Sequence, residues 1–161
     1  VVAAFFYLLI IDRDPSKIPS ALIEKKVPIF ETSALLEKKN FISTKEFGQE
    51  TIIVNFFATW CGPCRAEHKY IELLSKEGIK IIGINYKDGT KEAIQWLKEL
   101  GNPYSSIAVD SNGDIAIEWG VYGIPETFIV NANNFIQYRH VGPITKKEYK
   151  DFYSMILESN K

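Results

Sequence analysis

The chain has 161 residues, 46% of them apolar and 24% charged, and carries a formal net charge of −1. That composition is ordinary for a single globular domain with a sizeable core. Its 19 Lys and Arg are scattered among 20 Asp and Glu, which leaves no basic footprint for nucleic acid.

Val1 to Ile11 is an unbroken apolar and aromatic run that stops at Asp12-Arg13-Asp14-Pro15. A bilayer needs roughly 20 such residues, so the run is read as the remnant of an N-terminal membrane anchor or signal segment over residues 1–11. A buried terminal strand or helix is the other reading. The anchor reading puts the folded part on the periplasmic side of a bacterial inner membrane, tethered by a single pass. Residues 12–27, rich in Pro, Ser and Lys, read as a linker, and residues 28–161 as the domain. Phe30 to Phe47 mixes short apolar pairs with Glu and Lys, which predicts a small hairpin or extended segment covering an edge of the main sheet.

Thr51 to Ala58 is a β-rich run of the kind that is buried on both faces of a central strand. A helix is predicted from Pro63 to about Lys76, with Ala66, Tyr70, Leu73 and Leu74 facing the core and Gly78 as its stop. Ile79 to Tyr86 reads as a second buried strand, and Thr90 to Leu100 as a helix capped by Thr90 and ended by Gly101. Ile107 to Val109 is a short strand and Asn112 to Trp119 a brief helix or turn. Thr127 to Val130 and Phe135 to Val141 read as a hairpin across Asn131 to Asn134. Lys146 to Leu157 closes the chain with an amphipathic helix capped by Thr145. The pattern predicts an α/β fold, a central mixed β-sheet flanked by helices on both faces.

Both cysteines of the chain lie in Trp60-Cys61-Gly62-Pro63-Cys64, between the first long strand and its helix. A pair so spaced can close into a disulfide and reopen, taking up and returning two electrons. Unpaired N–H groups and the positive dipole end of the helix favour thiolate at the first cysteine, so Cys61 is the expected nucleophile. Cys64, one turn on, is the expected resolving thiol. A zinc site would need two more ligands, and only His68 and His140 remain, without finger or ribbon spacing; no metal is expected. A purely structural disulfide in so short a loop would stabilise weakly. Trp60 reads either as a flat apolar platform shielding the disulfide or as core packing. Tyr86 and Trp119 read as groove-lining or core aromatics, and His68 as an aid to ionisation or an exposed side chain.

The strand, the WCGPC helix and the later Gly-Ile-Pro-Glu-Thr-Phe resemble the thioredoxin superfamily, over roughly Val27 to Leu157. Three segments narrow the resemblance to the membrane-anchored cytochrome c biogenesis thiol:disulfide interchange proteins, the CcmG/DsbE family. They are Cys64-Arg65-Ala66-Glu67-His68, Gly120 to Phe128, and Asp12 to Ser20. The resemblance implies a thioredoxin-like fold with an N-terminal hairpin extension, a cis Pro125 facing Cys61, and a substrate groove along Gly123, Ile124 and Pro125. At Asn55, six residues before Cys61, thioredoxin has a buried Asp that helps move the resolving proton. Asn cannot accept a proton, so Glu67 and Glu126 become the candidates for proton handling; the reading of each as a solvated surface charge stays open.

The implied activity is that of a monomeric dithiol reductant of apocytochrome c disulfides, re-reduced by a membrane thiol transporter, with no cofactor beyond Cys61/Cys64. Rival readings are a general exported thioredoxin-like reductase with other clients, a peroxiredoxin, and a noncatalytic adaptor that holds apocytochrome.

Overall fold

The apolar run that reads as a central strand places its side chains alternately in two layers. Strand β3 (Ile52–Phe57) is buried along its whole length, with Ile52, Val54 and Phe56 in one apolar cluster and Ile53 and Phe57 in the other. That alternation leaves Asn55 on the same side as Ile53 and Phe57. The computed structural model describes residues 21–36 and 41–159; the anchor remnant and most of the linker expected ahead of the domain lie outside the described residues.

A hairpin of β1 (Glu31–Ser33) and β2 (Phe41–Ser43) precedes β3. After β3 come helix α1 (Gly62–Lys76), β4 (Ile81–Tyr86), α2 (Thr90–Leu100), β5 (Ser106–Asp110) and the short α3 (Asp114–Glu118). The chain then runs through β6 (Glu126–Val130) and β7 (Ile136–Val141) into α4 (Lys146–Ser159). The main sheet has the order β5-β4-β3-β6-β7. β3 runs parallel to β4 and β4 to β5, whereas β6 is antiparallel to both β3 and β7. Two successive crossovers in the same direction put α1 and α2 on one face, where α4 joins them through Phe152 and Ile156. α3 and the N-terminal segment cover the other face, where Trp119 packs against Phe56 and Phe128. The N-terminal hairpin covers the β5 edge as expected: Ala34 bridges Ala108 and the Leu35 amide donates to the Ile107 carbonyl. Among the described residues no helix is long and apolar enough to cross a membrane.

Several local expectations change. The described end of the linker is docked, because Glu24 and Lys25 pair with Ile136, Lys26 bridges Phe135, and Val27 is in the core. Gly89, not Thr90, is the N-cap of α2, so no side chain caps that helix. Thr145 does cap α4: its hydroxyl accepts from the Lys147 amide while Glu148 reaches back to the Thr145 amide, a reciprocal capping box. The buried face of α1 is Cys64, Glu67, His68, Ile71 and Leu74. Of the predicted core positions only Leu74 is buried; Ala66 and Leu73 face water and Tyr70 is half-buried. Hydropathy misplaces the phase because two polar side chains occupy the inward positions, and both find partners there.

Candidate active site

The end of β3 delivers the chain to a tight junction. Asp88, in the loop after β4, accepts from the Thr59 amide and hydroxyl at 2.7 Å each and from Asn85 at 2.9 Å. This clamp fixes Thr59, two residues before Cys61. Trp60 is 60% exposed, and its indole N–H donates to the Lys87 carbonyl at 3.1 Å. Its ring lies 6.3 Å from that of Tyr86. Trp60 is therefore a surface residue, whereas Trp119 is a core residue.

Cys61 is the N-cap of α1, and its sulfur accepts from the Cys64 amide at 3.1 Å. One of the otherwise unpartnered N–H groups of the helix end thus points at the sulfur expected to become the thiolate. Cys61 and Cys64 are joined in a disulfide. The pair is less open than the motif alone implies: Cys61 is 4% exposed and Cys64 1%. Of the two, Cys61 is the nearer to the surface and Cys64 lies beneath it. Exposed Gly62 and Pro63 surround the opening.

The second wall is the segment before β6. The Ile124–Pro125 bond is cis, and the Ile124 carbonyl oxygen lies 3.6 Å from the Cys61 sulfur. Gly123 is exposed, Ile124 half-buried and Pro125 buried. Glu126 braces this wall from below. One of its oxygens accepts from the Tyr122 amide at 2.9 Å and the Gly123 amide at 3.4 Å; the other accepts from the Arg139 Nε at 2.7 Å. Arg139 also donates to the Gly120 carbonyl at 3.0 Å, and its guanidinium lies 5.0 Å from the ring of exposed Tyr122. The ion pair is buried on both sides. Glu126 is thus a fully buried loop brace and not a surface charge, with its oxygens already occupied.

Glu67 has a different environment. It is 1% exposed, three residues after Cys64 on the same helix face. One oxygen accepts from Asn55 Nδ2 at 2.9 Å and the other from the Ile144 amide at 2.8 Å. Burial raises its pKa to about 7, and the two hydrogen bonds oppose that rise without cancelling it. A carboxyl group so poised can hold or release a proton at neutral pH. Asn55 also donates to Thr127 Oγ1 at 3.0 Å and accepts from the Tyr104 hydroxyl at 2.9 Å. His68 turns away from the cysteines: its Nε2 pairs with the Gly101 carbonyl at 3.0 Å, its ring meets Trp96 edge-on, and burial lowers its pKa.

Comparison with known proteins agrees with this geometry. The Redoxin family model matches residues 22–156. The thiol:disulfide interchange protein DsbE of Vibrio cholerae is 43% identical over 145 residues, 90% of this chain and 79% of that protein. The chain belongs to the DsbE family of thiol:disulfide interchange proteins. DsbE of Escherichia coli is likewise 43% identical, over 139 residues, 86% of this chain and 75% of its own length. The family's thioredoxin-like fold is seen in the DsbE-like protein of Chlorobium tepidum, with a TM-score of 0.78 and 22% identity, covering 88% of this chain and all of that one. A secreted thiol-disulfide isomerase of Corynebacterium glutamicum matches with a TM-score of 0.72 and 22% identity, over 82% and 83% of the two chains. The protein is a thiol:disulfide oxidoreductase with Cys61/Cys64 as its redox-active disulfide. Among the described residues no cluster of His, Cys, Asp or Glu is arranged to hold a metal ion.

Sequence reasoning placed Cys61, Cys64, Asn55, Glu67, Trp60 and the 123–126 segment together, and the fold assembles them. It missed Tyr104, Thr127, Arg139 and Asp88. Arg139 had no signal of its own, because its strand also carries Gln137 and His140 and reads as half-exposed. Tyr104 had none, because an aromatic residue ahead of a strand is usually core.

Proposed function

We propose that this protein reduces the disulfide of apocytochrome c so that its CxxCH thiols can receive haem, acting from the periplasmic face of a bacterial inner membrane. The observation that carries the reductive mechanism is the buried Glu67, on the face of α1 that bears Cys64, with its pKa raised to about 7. In the reduced protein the Cys61 thiolate attacks one sulfur of the substrate disulfide. A mixed disulfide forms and the other substrate sulfur leaves as thiolate, then takes up a proton. Cys64 gives its proton to ionised Glu67 and attacks the Cys61 sulfur, which closes the 61–64 disulfide and releases the second substrate thiolate. Glu67 returns that proton through the opening site to the departing thiolate. The substrate gains two electrons from the dithiol and two protons, one from water at the first leaving thiolate and one from Cys64 at the second, and a membrane thiol transporter restores the dithiol.

Client selectivity falls to the exposed rim, Trp60, Tyr122 and Gly123 with Ile124, because Glu67 and Glu126 are both buried beneath it. The apocytochrome client is supported by the likeness of Gly120 to Phe128, Cys64 to His68 and Asp12 to Ser20 to the biogenesis proteins. Deletion of the gene tests it: c-type cytochromes should be lost while other exported disulfide proteins stay unaffected, and wild type but not Cys61→Ser should restore them. Restoration by Cys61→Ser would convert the reading to a holding adaptor. Broad disulfide defects would convert it to a general reductase.

A further inference from the structure

Tyr104 sits in a seat shaped for one ring orientation. Its ring stacks on Phe57 at 4.7 Å between centroids with planes 15° apart. Gly83 leaves room for it, since a Cβ there would meet the Tyr104 ring at 3.0 Å and the Phe57 ring at 2.9 Å. The Asn102 side chain accepts from the Tyr104 amide at 3.1 Å and the Ser105 amide donates to Ile81 at 2.8 Å, which fixes the backbone on either side. The hydroxyl at the end of this seat donates to Asn55 Oδ1 at 2.9 Å and makes no other hydrogen bond among the described residues.

That single bond constrains Asn55. A primary amide can present either its oxygen or its NH2 group to a given neighbour. With its oxygen held by Tyr104, Asn55 must turn its NH2 group to Glu67 and Thr127, as it does at 2.9 and 3.0 Å. Flipping the amide would face NH2 toward the phenol and leave the buried hydroxyl proton with no acceptor, a costly state for a buried donor. Burial, and after it the Glu67 charge, holds the phenol in its protonated form well past neutral pH, so the donor persists throughout the working range. A donor aimed at Glu67 favours the carboxylate; an acceptor aimed at it would favour the carboxylic acid.

We propose that Tyr104 is a positioning residue for the thiol exchange: its hydroxyl locks the Asn55 amide with NH2 toward Glu67, and so sets how tightly Glu67 holds the proton taken from Cys64. This rests on Glu67 being the proton acceptor. The other groups around Glu67 leave that task to the amide. The β7–α4 connection contributes only the Ile144 amide, and β6 contributes the neutral Thr127 to the network. On its own helix His68 points to Gly101. Where α4 meets α1, the Tyr149 ring lies against Tyr70 and its hydroxyl reaches Glu77.

The test is a pH titration of the Glu67 carboxyl carbon by 13C NMR in the oxidised protein, where neither cysteine titrates. Tyr104→Phe keeps the stacked ring and removes the lock, so a protonated Glu67 can draw the amide oxygen toward itself. The midpoint should rise by about half to one unit, a three- to tenfold tighter hold on the proton. In an Asn55→Leu background the same substitution should move it no further. An unmoved or lowered midpoint in Tyr104→Phe, or an equal rise in the Asn55→Leu background, would overturn the proposal. If Tyr104→Phe does not fold, 3-fluorotyrosine at position 104, a stronger donor, should lower the midpoint, and no shift or a rise would overturn it. A wild-type midpoint in the ordinary carboxylate range would overturn the Glu67 reading together with this one. A midpoint near 7 that Tyr104→Phe leaves in place would overturn the role of Tyr104 alone.

Discussion

Replacing Glu67 with glutamine isolates the energetic consequence of burying that carboxyl group. Below about pH 4.5 the side chain is protonated in both folded and unfolded chains and adds no pH dependence. Between 4.5 and about 7 the unfolded chain has lost the proton while the native protein keeps it, so wild-type stability falls as pH rises. Above about 7 both forms are ionised and the loss is complete. The displacement from 4.5 to about 7 corresponds, at about 1.36 kcal/mol per pH unit, to about 3 kcal/mol. Glutamine cannot ionise, so the Glu67→Gln variant lacks this slope. A constant offset from the mismatched amide, which must turn its NH2 group toward Asn55 or the Ile144 amide, cancels in the comparison between pH values. His68, whose pKa burial lowers, titrates in the opposite sense over part of the same window. The difference between variant and wild type removes that contribution too. The assay is urea unfolding of both oxidised proteins from pH 4 to 8.5. The variant should gain about 3 kcal/mol on wild type between the two ends, nearly all of it between about pH 4.5 and 7. Parallel stability curves would refute the raised proton affinity and with it the role of Glu67 as acceptor.

Cys64→Ser should accumulate a mixed disulfide through Cys61 when given a disulfide peptide, and Cys61→Ser should form none; non-reducing electrophoresis and mass spectrometry read both. Arg139→Met strands the Glu126 carboxylate in the core and should cost about 3–5 kcal/mol in urea unfolding, with partial recovery on adding Glu126→Gln. Trp60→Ala removes a mostly exposed ring and should change stability by less than about 1 kcal/mol, while raising the KM for a disulfide peptide several-fold. Gly83→Ala drives a Cβ to 2.9 Å from the Phe57 ring and 3.0 Å from Tyr104, and should cost about 1–3 kcal/mol by overpacking.

The order of elements was legible because it is written in hydropathy. The run at Ile52 to Phe57 has the continuous apolar character of a doubly covered strand, and the motif after it can sit only at the strand-to-helix turn. The phase of α1 was hidden because Glu67 and His68 face inward, and a hydropathy pattern counts them as outward. Their burial depends on partners 12 to 77 residues away in sequence, Asn55 at 2.9 Å, Gly101 at 3.0 Å and Ile144 at 2.8 Å. The Glu126–Arg139 pair was equally hidden, since it forms across the β6–β7 hairpin and needs the register to be known. The docked stretch from Glu24 to Val27 looked like linker because its backbone pairing with β7 and the turn at Asn134 leaves little mark on side-chain composition. Gly89 and not Thr90 caps α2 because the helix starts one residue earlier than a side-chain cap at Thr90 would allow.

The equilibrium potential of the Cys61/Cys64 pair against glutathione and thioredoxin bears most directly on the direction of electron flow. A reductant should lie near the value of thioredoxin, about −270 mV. A value near the about −120 mV of a strong disulfide oxidant such as DsbA would contradict the account, because the protein would then take electrons from its clients.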